Sequence, residues 1–380
     1  MHQYNRPTYQ QPLQPCACPG GSVYYIDLSI KKSIVVVVVV VVVAASSGSS
    51  SLCAEEVAPT MAIVKMMMQM LLLPALTASL AHVLHYTRIQ SPLPATEQRE
   101  PIIILHGLLG SSRNLQSWSQ LLHSKLNSYH DIYLLDLRNH GGSVRLGPLS
   151  MSYIDMAKDV LTTADFLGIG KFHIIGHSLG GKVSASTALL DSRENLNRVR
   201  SVCLLDISPV IYDSDSDVFA EVSKTVEFLV QTRDQICNAE SRKDIGDILS
   251  ECFGDESLVS FLLANIQGAV CDPKQRQTSQ QPSFEWKFLI DGISPSMGEI
   301  GGFPWSPQAD RFNGPTLVYK AADSLFVRSS HIPLISSFFP SYTMISEKGA
   351  GHWLHIEKPN ETTQKVAQFF NYLEDALKQQ

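Results

Sequence analysis

Little in this chain marks a nucleic-acid binder, a disulfide-built secreted domain or a membrane protein. Its 30 lysines and arginines stand against 36 aspartates and glutamates, giving a formal net charge of −6 and a pI of about 6.0. Nowhere do basic residues alternate with aromatics in a stripe. The electrostatic footprint that nucleic acid requires is missing, which excludes that partner. Cysteine is sparse and odd in number, seven in 380 residues. Cys203, Cys237, Cys252 and Cys271 lie far apart, with no CxxC pair and no neighbouring histidine pair, so neither a disulfide framework nor a metal site is expected and no metal is assigned. Cys16 and Cys18 form a CxC and read, like the others, as reduced thiols of no special role. The uninterrupted apolar run Ile34 to Ala45 falls short of the roughly 20 residues that a membrane helix needs. What remains is a chain that is 44% hydrophobic, ample for a substantial buried core.

The apolar residues are not evenly used. Residues 1 to about 60 combine a Gln/Pro/Tyr-rich opening, a homopolymer from Val35 to Val43 and the Ser/Gly stretch Ser46 to Ser51. This is low-complexity composition, expected to be disordered or absent from the mature protein. Ile34 to Ala45 follows Lys31 and Lys32 and precedes small residues, the layout of a signal-peptide core, but it begins late and is almost wholly β-branched. From Met61 to Ile89 there are Lys65 and Arg88 but no acidic residue, the bias of an organellar presequence, though Arg and Ser are few. A hydrophobic leader or a wrongly extended gene start is the other reading. Residues 1–80 are therefore assigned to a disordered or targeting leader.

From Leu84 onward strand-like and helix-like segments alternate, the pattern of an α/β protein with a mostly parallel sheet. Ile102 to Leu105 is a short continuous apolar run that stops at His106-Gly107, as a fully buried strand should. Asn114 to Leu126 spaces Leu115, Trp118, Leu121, Leu122 and Leu126 as a helix does. Strands are expected at Asp131–Leu135, Phe172–Gly176 and Val199–Leu205, with helices at Tyr153–Leu167 and Leu179–Leu190. The alternation breaks between Asp213 and about Arg311, a helix-rich and more polar segment that includes the Gln/Ser/Pro stretch Lys274 to Ser283. It then resumes with a strand at Thr316–Tyr319, a helix around His331–Phe338, a strand at Tyr342–Ser346 and a closing amphipathic helix from Asn360. The domain plan is a core of residues 83–212 and 312–380, interrupted by a helical cap at 213–311.

Gly176-His177-Ser178-Leu179-Gly180 is a G-x-S-x-G element with a buried strand running into it and a helix leaving it. Small neighbours fit a strand-to-helix turn too sharp for bulk, and the turn presents the Ser178 hydroxyl at a helix N-terminus. Ser178 is the candidate nucleophile. The developing oxyanion needs donors, and the loop His106-Gly107-Leu108 after the buried strand supplies a backbone amide to complement that of the residue after the nucleophile. The candidate oxyanion hole is the amides of Leu108 and Leu179; His106 is read as packing beneath that loop. The base must lie downstream. Gly349-Ala350-Gly351-His352 follows the last strand on a glycine-rich loop, and His352 is preferred over His355, three residues nearer the final helix.

Five segments, HGLLGSSRNL at His106–Leu115, DLRNHGGS at Asp136–Ser143, GHSLGGK at Gly176–Lys182, LLDISPV at Leu204–Val210 and GAGHWLHIEKP at Gly349–Pro359, occur in an order that resembles the α/β-hydrolase superfamily. Within it, the chain is similar to the small esterases around abhydrolase domain-containing protein eleven and their bacterial relatives. The resemblance covers about Leu84 to the C-terminus. It implies an α/β-hydrolase fold, with helices on both faces of the sheet and an inserted helical cap, acting on carboxylic esters without a cofactor. It also implies a mitochondrial location for the eukaryotic branch. Asp136, Arg138, Asn139 and His140 would then shape the loop beside the pocket, as His106 and Gly107 do, more as support than as chemistry. The Lys274–Ser283 stretch looks longer than the compact cap of those relatives.

The acid that orients the base is left among three carboxylates. Asp206 ends the strand Val199–Leu205 within LLDISPV, where the resemblance locates the acid. Asp323 follows the strand Thr316–Tyr319, the superfamily's commonest place for it. Asp291 lies in the cap-side segment Trp286–Ile293. They are taken in that order. The expected partner is a small-molecule or lipid ester, cleaved through an acyl-enzyme; a thioesterase or lipase on the same triad, or a non-catalytic receptor that kept the fold, are the alternatives.

Overall fold

The computed structural model describes residues 21–26, 39–44, 83–92, 99–127, 130–146, 148–212, 217–268 and 284–378. The chain divides into two units, Met1–Leu73 and Pro74–Gln380. In the first, β1 (Gly21–Ile26) pairs antiparallel with β2 (Val39–Ala44), Gly21 opposite Ala44 and Ile26 opposite Val39. A homopolymer of valine has no alternation to read, yet its β-branched residues suit an extended backbone. The rest of the expected leader, and the polar stretch Lys274–Ser283, lie outside the described residues.

The second unit is built on a seven-stranded sheet. Its strands are β3 (Tyr86–Ile89), β4 (Arg99–Leu105), β5 (His130–Leu135), β6 (Phe172–His177), β7 (Val199–Leu205), β10 (Thr316–Ala321) and β11 (Tyr342–Glu347). They lie in the order β11-β10-β7-β6-β4-β5-β3. Every neighbouring pair is parallel except β3 with β5.

Why the central strands read as solid apolar runs follows from the two cores they separate. Successive side chains alternate between faces. Ile103 and Leu105, Ile174, and Val202 and Leu204 enter one hydrophobic cluster, whereas Ile102 and Ile104, Ile175, and Cys203 and Leu205 enter the other. The second face is covered by α1 (Ser112–Lys125), through Leu115, Trp118 and Leu122, and by α12 (Pro359–Lys378), through Val366, Ala367 and Phe370. Trp118 Nε1–H donates to Thr362 Oγ1 at 2.9 Å and joins those two helices. The first face is covered by α2 (Tyr153–Phe166) and α3 (Leu179–Arg193).

Between β7 and β10 the alternation gives way to six helices among the described residues: α4 (Asp217–Gln231), α5 (Arg233–Cys237), α6 (Arg242–Cys252), α7 (Glu256–Ala264), α8 (Ile290–Ile293) and α9 (Met297–Gly301). A short antiparallel pair, β8 (Ile266–Gly268) with β9 (Phe284–Trp286), lies among them. Leu229, Ile245, Leu249, Val259 and Leu262 from this segment continue the first cluster. After β10 come α10 (Ile332–Phe338), β11 and the short α11 (Leu354–Glu357). The carboxyl ends of β4, β6, β7 and β10 are adjacent, and a crevice outside such strand ends is where ligands of open α/β sheets bind.

Candidate active site

β6 meets α3 at Ser178, whose backbone sits at φ 52° and ψ −120°. A non-glycine residue in that region costs about 1–3 kcal/mol and persists only where its surroundings fix it. Here the Ser178 N–H donates to Leu205 O at 3.1 Å, and the Ser178 carbonyl accepts from the amides of Gly181 and Lys182. The turn closes because its glycines let strand and helix touch. A Cβ on Gly176 would lie 2.1 Å from Gly180 O, and one on Gly180 2.5 Å from His106 O. No larger residue fits either position.

Asp206 lies one residue beyond β7, completely buried, again at positive φ (50°). Its Oδ1 accepts the Ala321 N–H at 2.8 Å and its Oδ2 accepts His352 Nδ1–H at 2.8 Å. A carboxylate only accepts, so Nδ1 carries the proton and a neutral His352 ring keeps its lone pair on Nε2. Phe326 stacks on the ring with centroids 4.0 Å apart, and His177 Nε2–H donates to the His352 carbonyl at 2.9 Å. Asp206, and not Asp323, carries the bond to His352; Asp323 is exposed at the rim of the same cavity. Asp291 is exposed too, paired with Arg233 at 2.8 Å and outside the cavity lining. His355 is buried against the His177 ring at 4.3 Å, and burial together with the neighbouring His352 pushes its pKa down to about 3. It does not line the cavity.

Gly107, Leu108 and Leu179 line the cavity with Ser178, Asp206 and His352. A Cβ on Gly107 would stand 3.4 Å from the Ser178 Cβ, so this loop runs against the nucleophile elbow. The amides of Leu108 and Leu179 donate to no acceptor among the described residues. His106, Asn139 and His140 do not line the cavity; their side chains turn inward and bond the backbone that supports it. Asp136 is held in its charged form, the amides of Ser112 and Gly142 lowering its pKa against the cost of burial. Arg138 forms a two-pronged pair with the buried Asp159, at 2.7 and 2.8 Å.

A family model for the alpha/beta hydrolase fold matches residues 100–359. The chain belongs to the α/β-hydrolase family. This α/β-hydrolase is 32% identical over 285 residues to a probable alcohol acetyltransferase of Saccharomyces cerevisiae, covering 73% of the chain and 79% of the relative. It is 30% identical over 269 residues to sn-1-specific diacylglycerol lipase ABHD11 of Danio rerio, covering 71% and 78%. Among solved structures, a marine microorganism esterase aligns with a TM-score of 0.64 at 30% identity, over 76% of this chain and 99% of the esterase. These findings bear out the fold and the resemblance drawn from the motifs, and they support a hydrolase.

The α/β-hydrolase cavity holds about 790 Å³, and its walls include Phe219, Val222, Phe253, Leu258, Phe261 and Trp353. Phe326 and Lys182 also line it, in roles that no pattern in the sequence marks. Phe326 carries no motif, and its stacking on His352 depends on a loop whose path the sequence does not reveal. Lys182 belongs to GHSLGGK, yet a lysine in a first helical turn ordinarily points to water. Here it is buried, with Nζ donating to the carbonyls of Ile300, Gly301 and Gly302 at 3.3, 3.1 and 2.6 Å and lying over the rings of Tyr153 and Tyr212. Desolvation pushes its pKa well below the usual lysine value. It ties the C-terminus of α9 to the helix that starts at the elbow. Among the described residues no helix is long and apolar enough to cross a membrane.

Proposed function

We propose that this protein is a serine hydrolase that cleaves carboxylic esters of small to medium acyl chains through an acyl-enzyme. The observation that carries the reading is the convergence on one cavity of a strained serine, a histidine and the buried carboxylate bonded to that histidine's Nδ1. In the proposed cycle Ser178 Oγ attacks the ester carbonyl and its proton passes to His352 Nε2. The carbonyl oxygen becomes an oxyanion received by the amides of Leu108 and Leu179. Collapse breaks the carbon–oxygen bond to the alcohol, which leaves with the proton from His352. Water, activated by the same ring, then releases the acid. Asp206 holds the ring and offsets the charge it acquires.

The helical segment 213–311 acts as a cap in this reading, its apolar walls receiving the acyl chain. A cavity of about 790 Å³ suits a drug-sized ligand. We further assign residues 1–80 to a leader removed on import into the mitochondrion, on the acid-free stretch Met61–Ile89 and the family resemblance. N-terminal sequencing of the native protein should then begin near residue 80, and an intact Met1 would refute the assignment.

Ser178→Ala should lose on the order of 10⁴-fold or more in kcat on p-nitrophenyl butyrate. A fluorophosphonate probe should label the native protein at Ser178. Undiminished turnover by the variant would sink the mechanism, and failure to label would favour a receptor that kept the fold.

A further inference from the structure

We propose that His140 is a positioning residue for the oxyanion hole: its ring holds the Leu109 amide in place and so fixes the turn that presents the Leu108 amide to the substrate. The proposal rests on the reading of Leu108 and Leu179 as the oxyanion donors.

His140 is completely buried in the loop after β5. Its Nδ1 lies 2.8 Å from Arg138 O and its Nε2 3.1 Å from Leu109 N. A carbonyl can only accept and an amide N–H can only donate, so Nδ1 bears the proton and Nε2 the lone pair. One neutral tautomer satisfies both contacts. Burial and the neighbouring His106 push the pKa down to about 3, which keeps Nε2 an acceptor in any neutral solution.

The residue it holds needs holding. Gly110 N–H donates to Gly107 O at 3.1 Å, closing a four-residue turn with Leu109 at the third position and φ at 61°. A positive φ there normally takes glycine. For a leucine the left-handed conformation is strained, so an external bond is needed to hold it. His106 braces the other side of the same turn: its Nδ1–H donates to Gly107 O at 2.8 Å, its Nε2 accepts Leu137 N–H at 3.0 Å, and its ring lies 5.1 Å from that of His140. His140 is itself seated by the inserted segment. Its backbone bridges to Phe288, Gly141 N–H donates to Lys287 O at 2.6 Å, and Leu289 N–H donates to Asn139 O at 2.7 Å.

His140→Phe keeps a ring and removes the acceptor. With p-nitrophenyl butyrate, kcat should fall on the order of 10²-fold, while KM stays within about twofold of wild type. The affinity for an alkyl trifluoromethyl ketone, whose adduct with serine carries the oxyanion, should fall in step with kcat. Leu109→Gly in the same background should recover part of both, because glycine takes the positive φ without the clamp. Wild-type kcat and ketone affinity in the folded variant would overturn the proposal, as would a loss seen in KM alone. A second measurement needs no substitution: long-range ¹H–¹⁵N spectra of the native protein should show His140 protonated on Nδ1 only. An Nε2-protonated or doubly protonated ring would overturn the assignment. Because that spectrum does not depend on turnover, it stands apart from the ester-hydrolysis reading, whose failure would show in the wild-type protein.

Discussion

The two ends of the sheet both hold residues at positive φ, to different effect. At the carboxyl end, Leu109, Asn139, Ser178 and Asp206 take φ values of 61°, 62°, 52° and 50°. At the amino end, in the turn between α3 and β7, Asn195 and Asn197 take 54° and 55°. Asparagine and aspartate take positive φ more readily than leucine and serine do. The amino-end turn thus costs little and needs only local bonds, Asn195 N–H to Ser192 O and Asn197 Nδ2–H to Asn195 O. The carboxyl-end residues are each held from a distant part of the chain: Ser178 by Leu205, Asp206 by Tyr319, Asn139 by Leu289 and Leu109 by His140. Strain gathers where side chains must point at one another, and long-range bonds sustain it.

The largest effect that tests this contrast is on chemistry. Asp206→Asn should cost on the order of 10⁴-fold in kcat, because the amide no longer fixes the His352 tautomer or balances its charge. Asp323→Asn, at the exposed rim, should stay near wild type. The reverse result in steady-state kinetics would move the orienting acid to the end of β10.

Acid stability comes next. Burial lowers the pKa of His173, near the amino end of β6, to about 4, and those of His140 and His355 to about 3. Below pH 6.5 the unfolded chain binds protons that these folded rings refuse, so stability is full above that pH and falls as acid is added. Each ring withdraws on the order of 3 kcal/mol by pH 4. Melting temperature should therefore drop steadily from pH 7 to pH 4, with His173→Gln showing a shallower slope. A flat profile would mean that these rings are not buried as described.

The smallest effect compares the two ends directly. Ser178→Gly should abolish turnover yet raise stability by about 1 kcal/mol, a Tm gain of about 2–4 °C. Asn195→Gly should change it by only a few tenths. Equal changes at both positions would remove the distinction between held and unheld strain.

What could be read from the sequence follows the same division. Val199–Leu205 has the bounds expected from its apolar run, and Ile102–Leu105 is the buried part of β4. Both are covered on two faces, so apart from the half-exposed Arg200 and the polar Ser201 every residue reports its burial. β10 continues two residues past Tyr319 because Lys320, half-exposed, breaks the apolar pattern without breaking the ladder. β3, an antiparallel edge strand of three partly exposed residues and the exposed Arg88, YTRI, offers no apolar run. Ser178 and His352 were legible because glycine-rich turns surround them. The choice between Asp206 and Asp323 was not legible from the residues alone, since both follow strand ends and only packing decides which carboxylate is buried beside the His352 loop. Lys182 and Phe326 depend entirely on chain segments that fold back from far away.

Asp206 and His352 stand 146 residues apart in sequence, with the whole helical insertion between them. A nascent chain that has already shaped its serine elbow still lacks β10, β11 and the loop that brings the imidazole, and contacts of such long range form last. Recovery of probe labelling at Ser178 during refolding should therefore lag behind recovery of helical circular dichroism, so that the site itself serves as a clock for the final step of assembly.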